Sequence, residues 1–159
     1  MNGHLPKKSE LEEFDATIRG LRQIPGYVYE CYRSLPAASK PMDVIQASIP
    51  LLAMDDPDLG DESREANART AMRLTARLPC LVTAWHRVRQ GKDPLPPREK
   101  LSHAANFRWQ LHGEEPDPEM AKDLDTRLVL HADHTFNAST FACREVFGNL
   151  NPFLSPSLL

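Results

Sequence analysis

Residues 61–90 read DESREANARTAMRLTARLPCLVTAWHRVRQ. Ala71, Leu74, Leu78, Leu81, Trp85 and Val88 recur three and four positions apart, the spacing that lines up one face of an α-helix. Arg64, Arg69, Arg73, Arg77, Arg87 and Arg89 fall mostly off that stripe and read as a solvated face. Pro79 sits inside the pattern, so a kink or break is expected there. Gly91 is placed to cap the helix end, and residues 94–97, carrying Pro94, Pro96 and Pro97, read as a stiff linker.

The same rhythm extends upstream. Ser9 and Glu12 form a Ser-x-x-Glu capping pattern, followed by Leu11, Phe14, Ile18 and Leu21 on one face. Pro25-Gly26 is expected to stop that helix. Tyr27, Val28, Cys31, Tyr32 and Leu35 make a short segment ended by Pro36. Pro41 suits the first turn of a third helix, where its missing N–H costs little. Met42, Ile45 and Ile49 give that helix its apolar side, and Pro50 should kink or end it. Residues 55–60 are a turn-rich connection.

Downstream, Ser102 precedes a helix carrying Ala105, Phe107, Trp109 and Leu111 and ended by Gly113. Pro116 and Pro118 open the next, with Met120, Leu124 and Leu128 as its expected buried stripe. Helix should resume after Asn137, through Phe141 and Arg144. Residues 148–159, GNLNPFLSPSLL, read as an irregular tail, leaving residues 1–147 as one helical domain. Long period-2 alternation is absent, so the fold class is all-α with many short helices.

Composition narrows the function. With 41% hydrophobic and 26% charged residues over 159 positions, the chain can bury a core and is not a disordered tail. A net charge of −3 gives no basic excess to recruit nucleic acid. No apolar run approaches a membrane span, and the polar start, residues 1–13, has no signal-peptide h-region. Cys31, Cys80 and Cys143 are odd in number and far apart, which suits reduced thiols and a cytoplasmic setting. Seven glycines, with no P-loop, GxGxxG or Gly-x-Ser-x-Gly pattern, argue against a phosphate cradle or a nucleophile elbow.

The densest chemistry is His131-Ala-Asp133-His134, followed by Asn137, Ser139 and Thr140. Two imidazoles and a carboxylate so close can bind a metal, move protons or hold an anionic substrate. His-x-x-His spacing alone leaves zinc open, although no cysteine pair joins it. For an isolated motif, both histidines satisfying hydrogen bonds between helices is the commoner outcome. His4, His86, His103 and His112 lack partners in sequence and are read as structural.

Residues 128–142, LVLHADHTFNASTFA, resemble the signature of the bacterial citrate synthase family, and the length of the match outweighs the bland reading of His131 and His134. Further segments agree in order: NGHLP at 2–6, PMDV at 41–44, DPD at 56–58, Leu78-Pro79, AWHR at 84–87, Gln90-Gly91, LSHAANF at 101–107 and GEEP at 113–116. The resemblance runs from Asn2 to about Glu145. It implies an almost wholly helical fold, a homodimer, and condensation of an acyl-CoA with oxaloacetate, giving citrate from acetyl-CoA in the tricarboxylic acid cycle. It also implies that His134 contacts oxaloacetate with His131 as its companion, and that no resident cofactor or metal takes part. Asn106 lies in a family-like segment but is given no substrate role.

The departures carry equal weight. The family uses an aspartate to remove the thioester methyl proton, and a histidine in a His-Gly-Gly-Ala-Asn-like segment to stabilise the enolate. A histidine in a Gly-His-Arg-like segment polarises the ketone, and later arginines clamp the dianion. None of those segments occurs here, and residues 146–159 do not align. The expectation is therefore a portion of the enzyme truncated at both ends and inactive by itself. The alternatives are a portion of a 2-methylcitrate synthase, which uses propionyl-CoA, or a helical interaction or metal-binding module.

Overall fold

A computed structural model describes residues 5–132, and these are helical, with no strand among them. The helices are α1 (Lys8–Gly20), α2 (Gly26–Ser34), α3 (Pro41–Ala53), α4 (Arg64–Val88), α5 (His103–His112) and α6 (Pro118–Ala132). The chain divides into two units, Met1–Leu124 and Asp125–Leu159. The core belongs to the first; of the second, only the end of α6 is described. The tail at residues 148–159 and the helix expected after Asn137 lie outside the described residues.

The 61–90 stretch forms the central element. Ser63 caps α4, its hydroxyl accepting the Ala66 N–H at 3.2 Å. Around α4 pack α1, α2, α3 and α5. The core joins Ile24, Val28, Tyr32, Val44 and Leu52 to Cys80, Leu81, Ala84 and Trp85, with Leu74, Leu78 and Val88 half-buried at its edge. Tyr32 and Trp85 meet edge-on with centroids 5.8 Å apart, a geometry that adds about 1 kcal/mol to area burial. Ser48 Oγ donates to the Val44 carbonyl at 2.7 Å, so the Tyr32 hydroxyl must be the donor in its own 2.7 Å bond to Ser48.

Both internal prolines are absorbed without a break. α4 continues through Pro79, and α3 through Pro50 to Ala53. Each proline removes one donor, and the residues four positions earlier, Thr75 and Gln46, are exposed, so water can serve their carbonyls. Thr83 Oγ1 also donates back to the Pro79 and Cys80 carbonyls at 3.1 and 3.0 Å. Pro25-Gly26 opens α2 instead of stopping α1, which has already ended at Gly20. α1 begins earlier than the Ser9 pattern predicts, with the Lys7 N–H held by the Glu10 carboxylate at 2.7 Å.

The buried faces differ from the apolar stripes in three helices. α3 buries Val44, Ser48 and Leu52, while Met42 is exposed. α5 buries Ala104, Asn106 and Gln110, a polar face, while Phe107, Trp109 and Leu111 are half-buried. α6 buries Ala121 among its described residues, leaving Met120 and Leu128 exposed. On α1, Ile18 is buried but Leu11 and Phe14 are 53% and 50% exposed, so half of its apolar face is open.

Polar side chains hold the 95–101 segment. Arg19 Nη1 donates to the carbonyls of Glu99 (3.3 Å) and Lys100 (3.0 Å), and Arg22 Nη1 to those of Arg98 (3.2 Å) and Leu101 (2.9 Å). From α5, Asn106 Oδ1 accepts the Arg98 N–H, Gln110 donates to the Leu95 carbonyl and Trp109 Nε1 to the Pro96 carbonyl. The Arg98 guanidinium lies 3.4 Å from the centre of the Trp109 ring, a cation–π contact. Gly113 ends α5 at φ +80°, the left-handed conformation that a side chain strains, and Leu95 Cδ1 lies 3.4 Å from where its Cβ would stand.

Candidate functional site

The HADH motif begins where α6 ends. His131 lies in the last turn and is exposed. Its Nδ1 is 2.8 Å from the Arg127 carbonyl oxygen. A carbonyl oxygen bears no proton, so Nδ1 donates, and the neutral ring carries its lone pair on Nε2. Leu128, Val129 and Leu130, just before it, are 44%, 67% and 71% exposed. The helix therefore ends in aliphatic side chains open to solvent with one imidazole among them. Asp133, His134, Asn137, Ser139 and Thr140 lie outside the described residues.

The other histidines sit apart from this motif in sequence, and they divide between surface and packing. His86 is exposed, and its Nε2 accepts from Gln90 Nε2 at 2.9 Å. His112 is exposed at the end of α5, and His103 is half-buried at its start. Asn106 is 2% exposed and engaged with Arg98 and Gln110, so its work is structural. No group of three metal-ligating side chains occurs among the described residues.

Sequence reasoning overlooked two buried cations. Arg73, read with the solvated face, is 8% exposed. It donates to Asp56 Oδ2 at 3.1 Å and also reaches Asp58, which Arg69 grips through Nε and Nη2. Hydrogen bonds from Arg69 and Arg73 hold the Asp58 carboxyl down at about 2. Arg22, 1% exposed, donates from Nη1 to the Arg98 and Leu101 carbonyls, and its buried Nη2 has no hydrogen-bond partner among the described residues. Burial pushes its pKa down. Neither is foreshadowed by local spacing, because both partners lie at least fifteen residues away in sequence.

Two concavities among the described residues fit a dianion poorly. One of about 350 Å³ on α1 is lined by Leu11, Phe14 and Ile18 with Glu12 and Asp15, whose charge repels an anion. The other, about 80 Å³, is small and mostly apolar, lined by Ile49, Leu52 and Leu74 with Asp56, Arg77 and Arg73, the last already neutralised by Asp56 and Asp58. The end of α6 stays the candidate site.

Residues 1–154 match the family model described as citrate synthase, C-terminal domain. The chain belongs to the citrate synthase family. A citrate synthase from Acidithiobacillus ferridurans is 43% identical over 147 residues, covering 89% of this chain and 38% of that protein. A 2-methylcitrate synthase from Mycobacterium tuberculosis is 37% identical, covering 91% of this chain and 36% of that protein. Among solved structures, the citrate synthase from Pyrobaculum aerophilum superposes with a TM-score of 0.80 at 34% identity, over 94% of this chain and 39% of that one. The helical fold implied by the signature is thus the observed fold. The chain spans about two fifths of the length of these relatives.

Proposed function

We propose that this chain carries the oxaloacetate-binding signature of an acyl-CoA-condensing enzyme. The reaction is acetyl-CoA, oxaloacetate and water giving citrate and free CoA. The observation that supports the reading is an exposed His131 at the end of α6, opening the HADH motif in a chain of this family. His131 and His134 would orient the carboxylate and keto oxygens of the dianion, where charge-assisted hydrogen bonds are strongest. Acyl-CoA enters as a substrate, no resident cofactor takes part, and the assembled enzyme is a homodimer. The free thiols of Cys31 and Cys80 suit a cytoplasmic setting. No helix among the described residues is long and apolar enough to cross a membrane.

Calorimetric titration of the purified chain with oxaloacetate tests the site. Binding is expected, weakened by His131→Ala and by His134→Ala. A folded chain that does not bind, or variants that bind unchanged, would overturn the reading. Mixed with acetyl-CoA and oxaloacetate, this chain should release no thiol above the uncatalysed rate, because its sequence lacks the segments that supply the base and the enolate donor. Turnover that disappears on His134→Ala would refute that part.

A 2-methylcitrate-forming enzyme is the second reading, supported by the mycobacterial relative. Propionyl-CoA in the same thiol assay, run on a full-length relative carrying these residues, separates the two. A metal-binding module is the third; stoichiometric zinc in the purified chain would favour it.

A further inference from the structure

The apolar face of α1 carries opposite charges toward its two ends. Lys7 and Lys8 open the helix, Leu11 and Phe14 follow at one-turn spacing, and Ile18 closes the row. Ile18 is buried, but Leu11 and Phe14 are half exposed, and with Glu12 and Asp15 these residues line the concavity of about 350 Å³ on this helix. Leu5, just before the helix, is 91% exposed. The two acids are paired within their own helix, Glu12 with Lys8 at 4.0 Å and Asp15 with Arg19. Pairs so open to solvent contribute little, so both carboxylates can meet a further cation.

Turned end for end, this face is its own complement. Lys8 and Asp15 lie equally far on either side of the point midway between Leu11 and Glu12, each about 5 Å along the helix. A two-fold axis through that point brings the Lys8 of each copy onto the Asp15 of the other. The two Leu11 side chains meet at the centre, and each Phe14 lies against the Lys8 stem and Leu11 of the other copy. Leu5 then extends toward the Ile18 end of the facing helix. A parallel pairing would set Lys8 on Lys8 and Asp15 on Asp15, so the charges select the antiparallel one. We infer that this chain pairs with a second copy of itself through antiparallel α1 helices, with Leu11 and Phe14 as the apolar seam and Lys8–Asp15 as the reciprocal ion pair. The pairing is independent of the oxaloacetate reading. One helix from each copy makes a small interface, so the dimer belongs to the transient class and exchanges with monomer.

Sedimentation equilibrium of the purified chain, from micromolar to millimolar concentration, reads this association. Leu11→Glu places a charge at the centre of the seam and should raise the dissociation constant by roughly tenfold or more. Lys8→Glu and Asp15→Lys each set like charges together twice and should weaken the dimer several-fold. An equimolar mixture of those two variants should regain wild-type association, because every charge contact across the mixed pair is again between opposite signs. Leu11→Glu and Lys8→Glu stand at exposed positions and leave the unfolding midpoint unchanged, so they decide the matter even if Asp15→Lys, which forfeits Arg19, unfolds. A chain that stays monomeric throughout, or a dimer indifferent to Leu11→Glu or to Lys8→Glu, overturns the inference. So does a dimer lost with Val129→Glu alone, which would place the contact on α6. None of these results bears on oxaloacetate binding.

Discussion

Replacing Arg22 by alanine is the sharpest perturbation of the fold. The guanidinium is 1% exposed and donates to the carbonyls of Arg98 and Leu101 at 3.2 and 2.9 Å. Hydrogen bonds from a charged donor contribute about 1.5–3 kcal/mol each, so the pair is worth about 3–6 kcal/mol. Against this stands Nη2, buried with no partner, whose removal returns about 1–3 kcal/mol. The lost packing of the aliphatic stem adds about 1 kcal/mol to the cost. The expected destabilisation is about 3 kcal/mol, a large part of the total of a small domain. With a urea slope of about 1–3 kcal/mol/M, the midpoint should fall by about 1–3 M. Trp85 in the core and Trp109 beside Arg98 both report unfolding by fluorescence. Arg22→Lys, which keeps the charge but loses the fork, should fall between wild type and alanine. A midpoint shift below about 0.3 M for Arg22→Ala, with unchanged slope, would show that the two carbonyls are equally well served by water and refute the argument.

Three more outcomes follow from the same structure. Asp58 is held at about 2 by Arg69 and Arg73; a depressed folded value means its contribution is whole above the ordinary carboxylate range and is lost as pH falls toward 2. Thermal midpoints between pH 5 and 2 should drop more steeply for wild type than for Asp58→Asn, and parallel curves would contradict the assignment. Burial pushes the Cys80 thiol up to about 11, so at pH 8 a thiol reagent read by peptide mass mapping should label half-buried Cys31 first and Cys80 only on unfolding; equal labelling would count against it. Leu5, Leu11, Phe14, Val129 and Leu130 are exposed at 50% or more, enough apolar surface to drive association; light scattering should find oligomers at micromolar concentration, and a monodisperse monomer would contradict that.

The helices were legible because their punctuation is local. Ser102 caps, Pro41 starts and Gly113 stops, each within one turn of the residues it governs. The continuity of α3 and α4 was not, because a proline's cost depends on whether the deprived carbonyl can reach water, which only the packed structure decides. Which face is buried was also hidden: α5 turns Asn106 and Gln110 inward because the linker at 95–101 supplies main-chain groups for them to meet. Arg73 reads as a surface charge until Asp56 and Asp58 are seen to fold back onto it. Of the HADH motif the structure describes His131 and Ala132, and a sequence cannot carry what it adds there, the hydrogen bond from His131 Nδ1 to the Arg127 carbonyl.

The clamp on residues 98–101 reads only oxygen atoms of the peptide chain. Arg19 and Arg22 would hold any four residues there equally well, since none of the acceptors is a side chain. Substitution at Glu99 or Lys100 is therefore silent to the clamp, whereas deleting or inserting a single residue shifts every oxygen out of reach. The clamp thus constrains the number of residues between Arg98 and Leu101 and leaves the identity of the two between them open.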